Sequence, residues 1–168
     1  MTELRQCWAI LGSIVFFCVV PGSVAGAVPF MMTGWRQQSR EPEPLHLLGI
    51  VCVLVGLTSL IESMVQFVMR GRGTPAPVAP PSKLVVTGQY RYLRNPMYVA
   101  VVLIVLGQAA WLGSMVLLVY GAILFVLFHV WVVCYEEPTL TRQFGTSFEQ
   151  YRRGVHRWWP RFKAWRAE

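Results

Sequence analysis

Residues 7–32 run from Cys7 to Met32 without a single charged side chain. That is longer than the ~20 residues needed to cross the hydrocarbon core of a bilayer. Two further apolar runs follow, 45–69 and 97–135, the second too long for one ordinary crossing. Backbone inside lipid must satisfy its own hydrogen bonds, which restricts such runs to helices. The expected fold class is therefore all-α, an integral membrane protein with one domain over residues 1–168. Composition agrees, since 55% of the residues are hydrophobic and only 14% charged, against about a quarter charged in soluble domains.

The 97–135 run is interrupted at Trp111-Leu-Gly-Ser114, which suits a helical hairpin with a tight turn at Gly113. Four transmembrane helices result, at about 7–32, 45–69, 97–112 and 114–135, followed by an amphipathic tail over 136–168. The first run follows Arg5 and competes with a signal peptide. It is too long for a typical signal core, and further spans follow it, so it reads as a helix. Pro21-Gly22 is expected to kink this helix. Gly22 and Gly26 form one GxxxG match, a weak signal for helix pairing. Glu62 lies inside the second run near its basic end. A carboxyl group there is either a functional group or one that snorkels or pairs with a loop arginine. The connection 73–81 holds too many prolines for a regular helix and reads as an extended strap.

A net charge of +7 raises the question of nucleic acid. The basic residues lie beside the apolar runs, however, where anionic lipid and the bias towards a basic inner face account for them. Membrane lipids are the expected partners, and no nucleic acid is. With four spans, thirteen of the fifteen Lys and Arg residues fall on one face, and Arg36 and Arg40 on the other. The expectation is a plasma (cytoplasmic) membrane protein with both termini, the 70–96 connection and the tail in the cytoplasm. Cys7, Cys18, Cys52 and Cys134 form no CxxC pair. Neither a disulfide framework nor a metal site is expected, and the cysteines read as small apolar packing residues.

Two polar segments therefore meet in one compartment. The first is Tyr90-Arg-Tyr-Leu-Arg-Asn-Pro-Met-Tyr98. Asn95-Pro96 sets an extended residue before a proline at the first turn of a helix. That helix start offers free amides and a dipole that favours anions, Arg91 and Arg94 add guanidinium donors, and the tyrosines can stack on a planar ring and donate hydrogen bonds. An interfacial belt of Tyr and Arg accounts for the same residues equally well. The second segment, Glu136-Glu137-Pro138, is expected to close the fourth helix. Two acids at a helix C-terminus oppose the dipole and need cationic partners, either loop arginines or a cationic ligand. His129 is expected to be a hydrogen-bonded structural residue. Phe144–Tyr151 reads as a short amphipathic helix after a glycine turn. Arg152, Arg153, Val155, Trp158 and Trp159 then suit the headgroup boundary.

With Glu136-Glu-Pro-Thr-Leu140, Phe144-Gly145, Tyr151 and the stretch 155–160, these segments resemble the isoprenylcysteine carboxyl methyltransferases and related phospholipid methyltransferases, in the same order and spacing over about 84–160. The resemblance implies an integral-membrane enzyme that takes S-adenosylmethionine and methylates a lipid or lipophilic small molecule. Carried over by position, it implies that Leu84, Val85, Tyr90, Asn95, Pro96, Met97, Tyr98 and Glu136 bind the cofactor, with Arg94 and Glu136 organising catalysis. Asn95 stands where many members have histidine, and Val132 where the prenylcysteine enzymes have a substrate-contacting arginine, which argues against a prenylcysteine carboxylate. A small apolar thiol or amine as acceptor, and a non-catalytic membrane scaffold, remain as alternatives.

Overall fold

Apolar, uncharged sequence becomes helix throughout the computed structural model, which describes residues 12, 15, 19–39, 42–71 and 84–166; no strand occurs among them. Among the described residues the longer helices are α1 (Val19–Thr33), α2 (Glu43–Gly71), α3 (Pro96–Leu112), α4 (Met115–Phe144) and α5 (Thr146–Gly154), with a short 3-10 turn at Gly88–Arg91. Two of them contain stretches long and apolar enough to cross a membrane, Glu43–Gln66 in α2 and Met115–Phe144 in α4. α1 as described and α3 are apolar but shorter. At 1.5 Å per residue, α3 is roughly 26 Å long against a hydrocarbon core of ~30 Å. Leu47, Leu54 and Ile61 on α2 and Val119, Val126 and Val130 on α4 are each more than half exposed, an outer surface suited to lipid. The proline-rich strap 73–81, Arg5, Arg40, Glu41, Arg72, Lys83, Cys7 and Cys18 lie outside the described residues.

The hairpin turns where the sequence places it. Gly113 caps α3 in the left-handed region at φ +61°, which a side chain would strain. The Ser114 Oγ accepts from the Leu117 amide and so caps α4. The first connection packs on this turn: the Gln38 amide donates to the Leu112 carbonyl, and the Ser114 hydroxyl donates to Gln38 Oε1.

α2 and α3 approach backbone to backbone. A Cβ on Gly49 would stand 2.5 Å from the Trp111 nitrogen, one on Gly107 2.8 Å from the Gly49 carbonyl oxygen, and one on Gly56 3.0 Å from the Ala100 carbonyl oxygen. Small residues permit such close crossings in lipid. The GxxxG of Gly22 and Gly26 plays no such part, because nothing lies within 4 Å of a Cβ built on either.

Each of two helices contains a π turn just upstream of a proline. In α1 the turn covers Ser23–Ala27, followed by Pro29; in α4 it covers Val132–Glu136, followed by Pro138. Proline has no N–H to give the carbonyl four residues back, and its ring crowds that carbonyl. One added residue in the turn absorbs the conflict. The irregularity described in α1 is the π turn that begins directly after Pro21-Gly22, while residues 16–18 before Pro21, where its kink would fall, lie outside the described residues. One expectation is corrected: Glu136-Glu137-Pro138 does not end the fourth helix, which continues through the π turn to Phe144.

Beyond Phe144, Gly145 makes the turn at φ +52° and α5 begins. Phe148, Tyr151 and Val155 are buried together, packed by Leu84, Val86, Leu140, Phe144 and Trp165. Val155 therefore belongs to a core, not to a headgroup face: its spacing from Tyr151 puts both on one side of α5's end. Arg152, Arg153 and Trp159 are exposed, while Trp158 packs edge-on to Phe125.

Candidate active site

The loop 84–95 carries little regular structure and depends on its neighbours for shape. The tail runs alongside it. The Arg94 amide donates to the His156 carbonyl at 3.0 Å, the Arg161 amide to the Tyr92 carbonyl at 3.0 Å, and the Trp165 amide to the Arg91 carbonyl at 2.9 Å. Arg91 Nε returns a bond to the Trp165 carbonyl, and the Tyr151 hydroxyl donates to the Tyr90 carbonyl at 2.6 Å. These bonds satisfy a buried loop backbone that would otherwise have no partners.

A cavity of about 410 Å³ opens between this loop, the four long helices and α5, within the ~300–1,000 Å³ usual for small-molecule sites. The nine residues assigned by family resemblance all line it: Leu84, Val85, Tyr90, Arg94, Asn95, Pro96, Met97, Tyr98 and Glu136, whereas Arg91, the other guanidinium expected there, does not. Its apolar lining includes Val20 and Val24 of α1, Leu60 of α2, Val101 of α3, and Phe128 and Val132 of α4. Its polar lining includes Arg94, Asn95, Glu136, Glu137 and Gln143.

The two adjacent glutamates have different fates. Glu137 is buried and held by two arginines. Arg94 Nη1 lies 3.0 Å from its Oε1, while Arg157 makes a bidentate pair at 2.7 and 2.9 Å. A buried carboxylate with two guanidinium partners satisfies the pairing that burial demands. Glu136 faces the cavity and accepts one bond from the Tyr98 hydroxyl at 2.9 Å. The cationic partners expected for the acidic pair thus go to the second acid. The hydrogen bond to Glu137 raises the Arg157 guanidinium further above its usual range. Burial lowers that of Arg94, and Glu137 opposes the shift; arginine stays charged in either case.

Two donors near Arg94 are left over. Its Nε is buried and bonds to nothing among the described residues. α3 starts at Pro96 without a side-chain cap; the Asn95 side chain instead donates through Nδ2 to the Arg157 carbonyl at 3.2 Å. A helix of 17 residues thus presents an uncapped N-terminus beside an unpaired guanidinium N–H, which suits an anionic group. Burial raises the Tyr90 hydroxyl above the ordinary phenol range, with Tyr151 and Glu136 adding to the shift, so Tyr90 stays a neutral wall of the cavity.

The remaining candidates stand apart. His129 accepts a hydrogen bond from Trp158 Nε1 at 3.0 Å and is absent from the cavity wall. Glu62 also lies outside the cavity and, among the described residues, accepts from the Gln89 amide. Cys52 and Cys134 are free thiols, and no cluster of His, Cys, Asp or Glu among the described residues could hold a metal ion. Sequence reasoning missed Arg157, twenty positions beyond its partner Glu137. It also left Phe148 and Tyr151 of α5 out of the site they help to line. Their spacing on a short amphipathic helix was the available signal for the latter.

The described residues form an all-helical fold around a cavity of small-molecule size, with two helices long and apolar enough to cross a membrane. The chain belongs to the phospholipid methyltransferase family, whose profile matches residues 44–147, from the start of α2 to the start of α5. Over 87 residues it is also 32% identical to a nickel-cobalt-cadmium resistance protein, NccN, of Alcaligenes xylosoxydans xylosoxydans. That alignment covers 52% of this chain and 40% of NccN, so the chain spans less than half of that relative's length. No solved structure matches.

Proposed function

We propose that this protein is an S-adenosylmethionine-dependent methyltransferase that modifies a lipid or lipophilic acceptor. The observation that carries the reading is the convergence of nine residues from two distant segments on one cavity with both polar and apolar lining. The polar lining has the donor set that the cofactor's methionine portion calls for. Glu136 offers a carboxylate to an ammonium, while Arg94 Nε and the α3 N-terminus offer donors to a carboxylate. Leu84, Val85, Tyr90, Asn95, Pro96, Met97 and Tyr98 form the surrounding wall.

Bound S-adenosylmethionine supplies a methyl group made electrophilic by its sulfonium. The chain's contribution is positioning and exclusion of water. Tyr98 orients Glu136, the Arg94–Glu137–Arg157 cluster ties the loop to α4, and Phe128, Val101 and Leu60 shape a dry path for an acceptor arriving from the bilayer. Val132 adds no charge to that path, which favours acceptors without a carboxylate at the reacting end. In this reading α1 and α3 join α2 and α4 as spans, at about 7–32, 45–69, 97–112 and 114–135. The cavity mouth, the tail and both termini face the cytoplasm from the plasma membrane.

Calorimetry of the purified protein with S-adenosylhomocysteine tests the cofactor assignment: saturable binding is expected, and no binding sinks the enzyme reading. Transfer of labelled methyl from S-adenosylmethionine into host membrane extracts then identifies the acceptor class by the product that carries the label.

A further inference from the structure

The face of α2 at its Gly71 end carries Ser59, Glu62 and Gln66, spaced three and four residues apart and therefore aligned along one side of the helix. All three reach the outer side of the 84–95 loop. The Ser59 hydroxyl donates to Gln89 Oε1 at 2.6 Å, Gln89 Nε2 donates to Glu62 Oε2 at 2.6 Å, and the Thr87 hydroxyl donates to Gln66 Oε1 at 3.0 Å. Gly88, at φ +55°, lies so close to Gln66 that a Cβ there would stand 2.8 Å from its Nε2. The inner side of the same loop, at Val85 and Tyr90, lines the cavity.

We infer that Ser59, Glu62 and Gln66 form a clasp that sets the position of the cavity loop, with Glu62 as a positioning residue for the site. The choice of a carboxylate has a physical reason. The two ends of the Gln89 amide are nearly equal in shape, so its orientation is decided by its partners. An ionised carboxylate only accepts, and therefore fixes Nε2 towards Glu62 and Oε1 towards Ser59. A costly carboxyl group at the end of a membrane helix is thereby used for geometry, two bonds away from the ligand.

The inference rests on the cavity being the cofactor site, so its test carries a readout that does not. Hydrogen exchange of residues 84–95 and S-adenosylhomocysteine affinity are measured on the full chain in detergent for the wild type, Glu62→Ala, Glu62→Gln and Gln89→Ala. Glu62→Ala is expected to raise loop exchange at least fivefold and to weaken ligand binding three- to tenfold. Gln89→Ala, which removes the Ser59 bond as well, should be at least as severe, and adding Glu62→Ala to it should cost nothing more, because the Glu62 bond runs through Gln89. Glu62→Gln should recover part of the affinity, since a glutamine oxygen can still accept from Gln89 while its amide no longer fixes which way Gln89 turns. Unchanged loop exchange in Glu62→Ala overturns the clasp. A Glu62→Gln variant no better than Glu62→Ala overturns the positioning role in favour of a direct charge effect. If the wild type binds no S-adenosylhomocysteine, the functional reading falls, and the exchange comparison still decides the clasp. If Glu62→Ala does not fold, Ser59→Ala replaces it, with a smaller rise in exchange over 84–95 expected and none overturning the proposal.

Discussion

The π turn at Ser23–Ala27 in α1 and the one at Val132–Glu136 in α4 stand in the same relation to a downstream proline, and the protein treats them in opposite ways. In α1 the disturbed carbonyls are taken up internally. Gln108 Nε2 donates to the Ala25 carbonyl at 2.7 Å, the carbonyl that Pro29 deprives of its helix donor, and the Tyr120 hydroxyl donates to the Val24 carbonyl at 2.9 Å. Trp35 Nε1 completes the arrangement by donating to Gln108 Oε1. In α4 the extra residue turns Val132, Tyr135 and Glu136 towards the cavity. The adjoining acid is neutralised by arginines from two other segments. The same backbone device is a closed joint in one helix and a display in the other. What separates them is whether neighbouring side chains fill in the available polar groups.

The comparison makes graded predictions. Glu137→Ala should be the most damaging change, since it leaves Arg94 and Arg157 without their counter-ion in a buried setting. A loss of about 3–5 kcal/mol is expected, read as a large drop in thermal midpoint in detergent. A variant that melts like the wild type would break the claim that this acid is structural. Gln108→Leu strands the Ala25 carbonyl and the Trp35 N–H, and about 1–3 kcal/mol of stability should go. Its S-adenosylhomocysteine affinity should stay within twofold, and a tenfold loss would erase the distinction between the two turns. Glu136→Ala should do the reverse, keeping the melting temperature but weakening that affinity at least tenfold, or about 1.4 kcal/mol. Unchanged affinity would remove Glu136 from the site. Tyr98→Phe deletes the hydroxyl that orients Glu136, a bond worth about 0.5–1.5 kcal/mol, so calorimetry should show a smaller loss than Glu136→Ala gives.

The helices were legible in the sequence because apolar runs free of charge have one solution in lipid. The hairpin turn was legible because Gly113 and Ser114 are a C-cap and an N-cap side by side. The convergence of the Tyr90–Tyr98 segment with Glu136 was foreshadowed by counting charges, and residue identities came from family resemblance. The π turns were not legible, since a proline inside an apolar helix can end it, kink it or widen it, and tertiary partners decide which. The division of labour between Glu136 and Glu137 was equally hidden. It depends on Arg157, whose position follows from the course of the tail over the loop, not from local pattern. Glycine misled in the same way: Gly22 and Gly26 have the spacing of a helix contact, whereas Gly49, Gly56 and Gly107 have the neighbours.

That last group has a consequence for how the molecule can move. With no space for even one methyl group between α2 and α3, neither helix can slide past the other by a residue without driving Trp111 or Ile104 into backbone. The seam acts as a keyway that locks their register. α2 carries Ser59, Glu62 and Gln66, and α3 carries the helix start at Pro96, so both are indexed to one fixed origin. Under the proposed function, movement on ligand entry is expected in α1, α4 or the tail beyond Gly154, with the α2–α3 pair as the stator against which they work.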